Sequence, residues 1–265
     1  MQFSTLAKLF SSRGTRRVFA VGAPILLAVV VAIVYEYVDD LPGAGGKGPG
    51  TANAATVSGK DVSDLVGKLT EAPESPMTGY SREKFPHWDT NKPDHGFGDD
   101  YAQYSRCTSR DAMMLRDATG NVTLDPRTCK FTVGKDGGWQ DQYGFIDSKT
   151  GQLKPYKWMT DPSGVDADHI VALAEAWRSG ADKFDNDTRR HIANDAVNLV
   201  ASDPSANRSK GDQDVATYLP PGNYRCGYLD RYVKIKIKYA LTVDPAEHTA
   251  LRNAVDDCVR RGEFK

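Results

Sequence analysis

Four polar side chains carry the chemistry this sequence can offer. Asp168 and His169 are adjacent in VDADHIVAL, Asn198 opens NLVAS, and Asn207 lies in SANRSKGD. A carboxylate such as Asp168 is a hard oxygen ligand suited to a divalent cation, Mg²⁺ first among them. The Asn207 amide carbonyl is a second ligand of the same hardness. Phosphate and water would complete the shell. His169, with an imidazole that normally titrates near neutrality, suits the role of general base on water. A base ring must be oriented, and Asn198, entering the neighbouring strand, is the candidate to hold it through its side-chain oxygen. Arg208 and Lys210 share a helix end with Asn207 and are placed to contact phosphates. Arg110 is a further candidate for the scissile phosphate, with an ion pair to Asp111 or Asp117 as the structural alternative. Together these groups fit phosphodiester hydrolysis that leaves 5′-phosphate and 3′-hydroxyl ends.

The elements that must position them follow from the surrounding pattern. Neighbours in a strand point to opposite sides, so Asp168 and His169 share a centre only where the strand ends or bulges. Residues 165–171 read as that strand, and 172–178 as a short helix closed by Gly180. Residues 188–194 fit a further helical turn, and 198–201 a second strand. Pro204-Ser205 then opens the helix that carries Asn207, Arg208 and Lys210. Strand, loop, strand, helix around one histidine makes the class α+β.

Upstream, apolar residues at 62, 65, 66 and 69 give helical spacing over 61–69, with Asp61 or Ser63 as cap. The stretch from Gly79 to Cys107 is rich in turn formers and reads as irregular, pinned by Tyr80, Phe85 and Trp88. Residues 109–116 read as a helix burying Met113 and Met114. Residues 121–124 and 130–133 read as short strands. Gly137-Gly138-Trp139 reads as a turn beside an aromatic anchor. Residues 226–241 form a basic helix candidate, and 246–260 a final helix with Leu251, Val255 and Cys258 on one face. His87, His95, His191 and His248 fall in turns or helix surfaces and read as structural, as do Trp139 and Trp177.

The chain has 265 residues and a formal net charge of -1. A tight, sequence-independent nucleic-acid coat needs a clear basic excess, because phosphate contacts supply its affinity. This balance argues instead for a transiently binding hydrolase with a local basic groove, to which the 225–238 stretch would contribute. Residues 1–17 form a basic tail, cytoplasmic by the positive-inside rule. Residues 18–38 form an apolar run read as a signal sequence or transmembrane anchor, with a slight lean to the anchor. Residues 39–60, rich in Gly, Ala and Pro, form a flexible linker. The remainder, 61–265, is the folded domain, placed outside the cytoplasm, secreted or anchored. Cys107, Cys129, Cys226 and Cys258 include no CxxC pair, which argues against a zinc knuckle. An even number of cysteines in an exported chain points to two disulfides, and proximity favours 107–129 and 226–258 among three pairings.

VDADHIVALAEAWRSGA and NDAVNLVASDPSANRSKGD resemble the HNH endonucleases of the ββα-metal (His-Me finger) fold. The likeness is closer still to secreted actinobacterial HNH nuclease-like proteins. It extends to YSREKFPHW, CTSRDAMML, the 129–139 segment and Cys226-Gly-Tyr, roughly residues 61–260. The resemblance implies one divalent metal ion held by Asp168 and Asn207, with Mg²⁺ expected and Mn²⁺ or Zn²⁺ as alternatives. It also makes His169 the general base and Asn198 its orienting partner. The family often has Pro where this chain has Ala172, and often His where it has Asn207. The expected function is an exported endonuclease that hydrolyses DNA, with RNA as a second substrate and no obligate protein partner. The alternatives are a non-catalytic, membrane-anchored binding module that keeps the fold, and a toxin effector with an immunity partner.

Overall fold

The computed structural model describes residues 58–154 and 157–264. The basic tail, the apolar run and nearly all of the linker lie outside the described residues. Among the described residues no helix is long and apolar enough to cross a membrane.

The site rests on a two-stranded antiparallel ribbon followed by a helix. Strand β6 (Asp166–His169) pairs with β7 (Leu199–Ser202), with Asp168 opposite Val200 and His169 opposite Leu199. Every residue of β7 is buried, because the ribbon lies between two cores. Val200, Ile170 and Val171 face one core with Trp177, Tyr228 and Tyr232. Leu199, Ala201 and Val165 face the other with Met113, Met114 and Trp139. The alternation of side chains in a strand gives this ribbon two apolar faces. Asp203 ends β7 and caps α5 (Pro204–Lys210) by accepting from the Ser205 N–H at 2.9 Å. Pro204, at the first helical position, lacks the N–H that would have gone unpaired there.

Three layers brace this ββα unit. On one side lie α1 (Gly59–Val66), α6 (Arg225–Lys238) and α7 (Pro245–Arg260). Ser58 caps α1 by accepting from the Asp61 N–H, so the helix starts before the Asp61 or Ser63 caps expected from spacing. On the other side α2 (Ser109–Asp117) packs on β7. Thr108 and Asp111 close its first turn as a capping box. The third brace is α3 (Leu173–Arg178) with α4 (Asn186–Asn194), between β6 and β7 in the chain.

Two small sheets complete the fold. β2 (Val122–Leu124) pairs with β3 (Phe131–Val133), as expected. β1 (Ala118–Thr119), β4 (Gly138–Gln140) and β5 (Trp158–Met159) form a sheet in the order β1-β4-β5. Gly137–Trp139 is therefore part strand rather than only a turn. Gly138 has φ 159°, and a Cβ there would meet the Met159 carbonyl at 2.5 Å. Only glycine allows that approach. Disulfides join Cys107 to Cys129 and Cys226 to Cys258, the pairing favoured by proximity.

Candidate active site

A cleft of about 250 Å³ opens at the C-terminal end of β6. Asp168 and His169 both line it, together with Asn207 and Arg208 from α5 and Tyr80 and Arg82 from the segment before α2. His169 is the last residue of β6, so the strand ends where the two neighbours must converge.

His169 is 3% exposed, and its ring is held from two directions. Nε2 lies 2.9 Å from the carbonyl of Ala193 at the end of α4. A carbonyl only accepts, so Nε2 carries the proton and the Nδ1 lone pair is the basic one. The indole of Trp88 stacks on the imidazole at 5.8 Å between centroids and 16° between planes. Trp88 has φ 60°, a left-handed backbone that costs a bulky residue about 1 kcal/mol or more. The next peptide is fixed, because the Asp89 N–H donates to Asn194 Oδ1 at 2.9 Å. Burial pushes the His169 pKa down to about 3, partly offset by the Ala193 hydrogen bond and reinforced by the charges of Arg82 and Lys210. The near-neutral value expected from the residue type is thus replaced by a ring that stays neutral at every physiological pH.

Asn198 does not touch the imidazole. Its Oδ1 accepts from the Val171 N–H at 2.9 Å, and its Nδ2 donates to the Ile192 carbonyl at 3.0 Å. The side chain is fully buried. The side-chain oxygen expected to hold the ring is thus bonded to the Val171 N–H instead. Asn198 ties the loop after His169 to the end of α4, and the adjacent Ala193 carbonyl holds the ring. The turn carrying Asn198 is itself clamped. Arg116 and Arg231 both donate to the carbonyls of Ala196 and Leu199, and Arg231 Nε donates to the Val197 carbonyl at 2.8 Å.

Asp168 is 7% exposed and meets two donors. Tyr143 Oη donates to Oδ2 at 2.7 Å, and Lys210 Nζ lies 3.2 Å from the same oxygen. Burial holds the Tyr143 phenol well above its ordinary range, so it remains a donor. Asn207 Nδ2 donates to Asp166 Oδ2 at 3.1 Å. That bond fixes the amide and leaves Oδ1 as the face free to ligate. Asp168 and Asn207 could offer a cation one carboxylate and one amide carbonyl on the same cleft, with Lys210 Nζ 3.2 and 3.4 Å from the two Asp168 oxygens as a competing cation. Oxygen donors are the chemistry a hard divalent cation prefers.

Three expectations about cations change. Lys210 is fully buried with its ammonium against Asp168, so its charge is directed inward rather than offered to a phosphate. Arg110 does not line the cleft. Its guanidinium donates to the carbonyls of Pro162 and Val165, and it pairs with neither Asp111 nor Asp117. Several cations of the basic helix α6 are engaged within the fold: Arg225 Nε donates to the Pro220 carbonyl at 3.2 Å and Lys234 pairs with Asp230 at 2.8 Å. Arg231 is bound to backbone carbonyls, Lys236 is buried against Glu175 and Glu247, and Lys238 pairs with Asp195 at 3.0 Å. Arg208 alone of the expected phosphate contacts stays exposed on the cleft, bonded among the described residues only to Ser205 Oγ at 3.2 Å.

Spacing gives no signal that Tyr80, Arg82, Trp88 or Tyr143 belongs to the site; Tyr80 and Trp88 read as anchors of an irregular segment. Arg82 and Tyr143 carry no positional signal relative to Asp168 and His169, since they lie on other elements.

The family model described as "GmrSD restriction endonucleases, C-terminal domain" matches residues 108–254. An "Uncharacterized secreted protein" of Arthroderma benhamiae is 35% identical over 204 residues, covering 76% of this chain and 86% of that protein. No solved structure matches significantly.

Proposed function

Because the chain belongs to the family of the GmrSD restriction endonuclease C-terminal domain, an HNH-type nuclease family, we propose that it is a metal-dependent endonuclease. It hydrolyses the phosphodiester bonds of DNA, and of RNA as a second substrate, with His169 as general base. The carrying observation is the His169 ring. Its Nε2–H is fixed on the Ala193 carbonyl, which leaves Nδ1 to take a proton beside Asp168 and Asn207. His169 accepts the proton of a water, the oxygen attacks phosphorus, and the bond to the 3′ oxygen breaks. Trp88 and Ala193 keep the ring in place during that transfer. Arg208 meets the phosphate from α5. Asp168 and Asn207 would hold one divalent cation, Mg²⁺ by the hardness of the donors, which supplies charge neutralisation on the phosphate and the leaving oxygen.

The site of action is outside the cytoplasm. Two disulfides support this, since such bonds persist in oxidising compartments. The curated relative is also called secreted. Fractionating the native host and weighing the mature protein tests both export and cleavage of the 18–38 run.

The test of function is plasmid degradation by the purified protein. Mg²⁺ should support cleavage, EDTA should abolish it, and His169→Ala should lower the rate about 10²–10⁴-fold, the usual worth of a general base. Equal activity in all three conditions would sink the mechanism. No cleavage with Mg²⁺, Mn²⁺ or Zn²⁺ would favour the non-catalytic binding module.

A further inference from the structure

The stretch matched by the family model begins at residue 108, yet Tyr80 and Arg82 also line the cleft. Arg82 lines the same cleft as Asn207 and Arg208. Among the described residues its guanidinium has no carboxylate within ion-pair distance and no hydrogen-bond partner, and it is exposed. Most other arginines around the site are spent on the fold. Arg110, Arg116, Arg189 and Arg231 all donate to backbone carbonyls.

The backbone beneath Arg82 is held in place. Residues 82–84 form a 3-10 turn, closed by the Phe85 N–H on the Arg82 carbonyl at 3.0 Å. Phe85 is fully buried and packs edge-on to Trp177. Arg189 Nε donates to the Lys84 carbonyl at 2.8 Å. A few residues on, Trp88 stacks on His169, so the segment is registered to the catalytic ring itself. An uncompensated planar cation on a fixed turn, sharing a cleft with a base and a second arginine, suits a tetrahedral anion.

We propose that Arg82 is a substrate-binding residue that holds the nucleic-acid backbone phosphate together with Arg208. Residues 80–88 thereby supply a phosphate subsite outside the matched stretch. This rests on the phosphodiesterase reading of the cleft. Arg82 and Arg208 together grip the phosphate in the cleft that His169 also lines.

The test is binding of a fluorescent DNA duplex with Mg²⁺ by full-length His169→Ala protein, with and without Arg82→Ala, over a range of salt. The second change should weaken binding about 10- to 100-fold and make the slope of log K against log salt shallower by about one. Arg82→Lys should restore the slope but only part of the affinity, because the fork is lost. Arg106→Ala, which removes an exposed charge away from the cleft, should change neither. Equal affinity and slope with and without Arg82 would overturn the proposal, as would no binding by either protein. Wild-type cleavage assayed in parallel separates the two claims. An inactive wild type with Arg82-dependent binding rejects the enzyme and keeps the subsite. Cleavage that Arg82→Ala leaves unchanged keeps the enzyme and rejects the subsite.

Discussion

Asn198→Ala separates a residue that acts on the reaction from one that acts on the backbone. The side chain is fully buried and makes its bonds to the Val171 N–H and the Ile192 carbonyl. Removing it deprives both groups of this partner in a place water does not reach. Each stranded buried group costs about 1–3 kcal/mol, so the change should destabilise the fold by about 2–6 kcal/mol. For a domain of this size that lowers Tm by about 5–20 °C, readable by circular dichroism. Cleavage of a labelled oligonucleotide, measured well below the new Tm, should fall as well, because the loop after His169 loses its tether. The two losses should travel together. A variant that melts with the wild type yet loses activity 100-fold would refute this account and return Asn198 to direct contact with the imidazole.

In EDTA, His169 should make the protein acid-sensitive. Its folded pKa, near 3, lies below the ordinary 6.5, so the stability it contributes is present above pH 6.5 and is lost as pH falls toward 3. Between pH 7 and 5 that loss is about 2 kcal/mol, and urea unfolding of His169→Gln should lack it; parallel curves for the two proteins would count against the buried, neutral ring. Lys236→Met should cost about 3–5 kcal/mol in the same assay, because it removes the ammonium 2.7 and 2.8 Å from the buried Glu175 and Glu247 carboxyls and leaves Glu247 with only the Tyr232 hydroxyl, while Glu175 keeps Arg178; a neutral result would show that the pair does not need its cation. Replacing Cys226 and Cys258 by alanine should cost about 3–4 kcal/mol, the chain entropy of a loop of 32 residues; a Tm unchanged from the oxidised wild type would show that the unfolded chain gains nothing from the cut.

The ββα unit was legible because its signals are local. A strand with a Pro-initiated helix after its partner strand, and the Asp168-His169, Asn198 and Asn207 order, all sit within one stretch of chain. Both disulfides were readable for the same reason. The sheet of β1, β4 and β5 was not, since strands of two or three residues are too short to show alternation. Nor were the partners of the site residues. Tyr143 reaches Asp168 and Trp88 reaches His169 only through tertiary packing. The fates of Arg110, Lys210 and the basic helix were hidden for a related reason. A cationic side chain looks the same in sequence whether it meets a phosphate, a carbonyl or a buried carboxylate.

The Cys226–Cys258 bridge has a consequence for where this protein can be divided. The matched stretch stops at residue 254, between the two half-cystines. A fragment trimmed to that boundary keeps Cys226 and discards its mate. It also loses the last turn of α7, against which α1 packs. Such a piece would carry a lone thiol in an oxidising medium and would cross-link to its own copies. Similarity marks a stretch of inherited residues here, while covalent continuity sets the smallest unit that can be handled as a monomer.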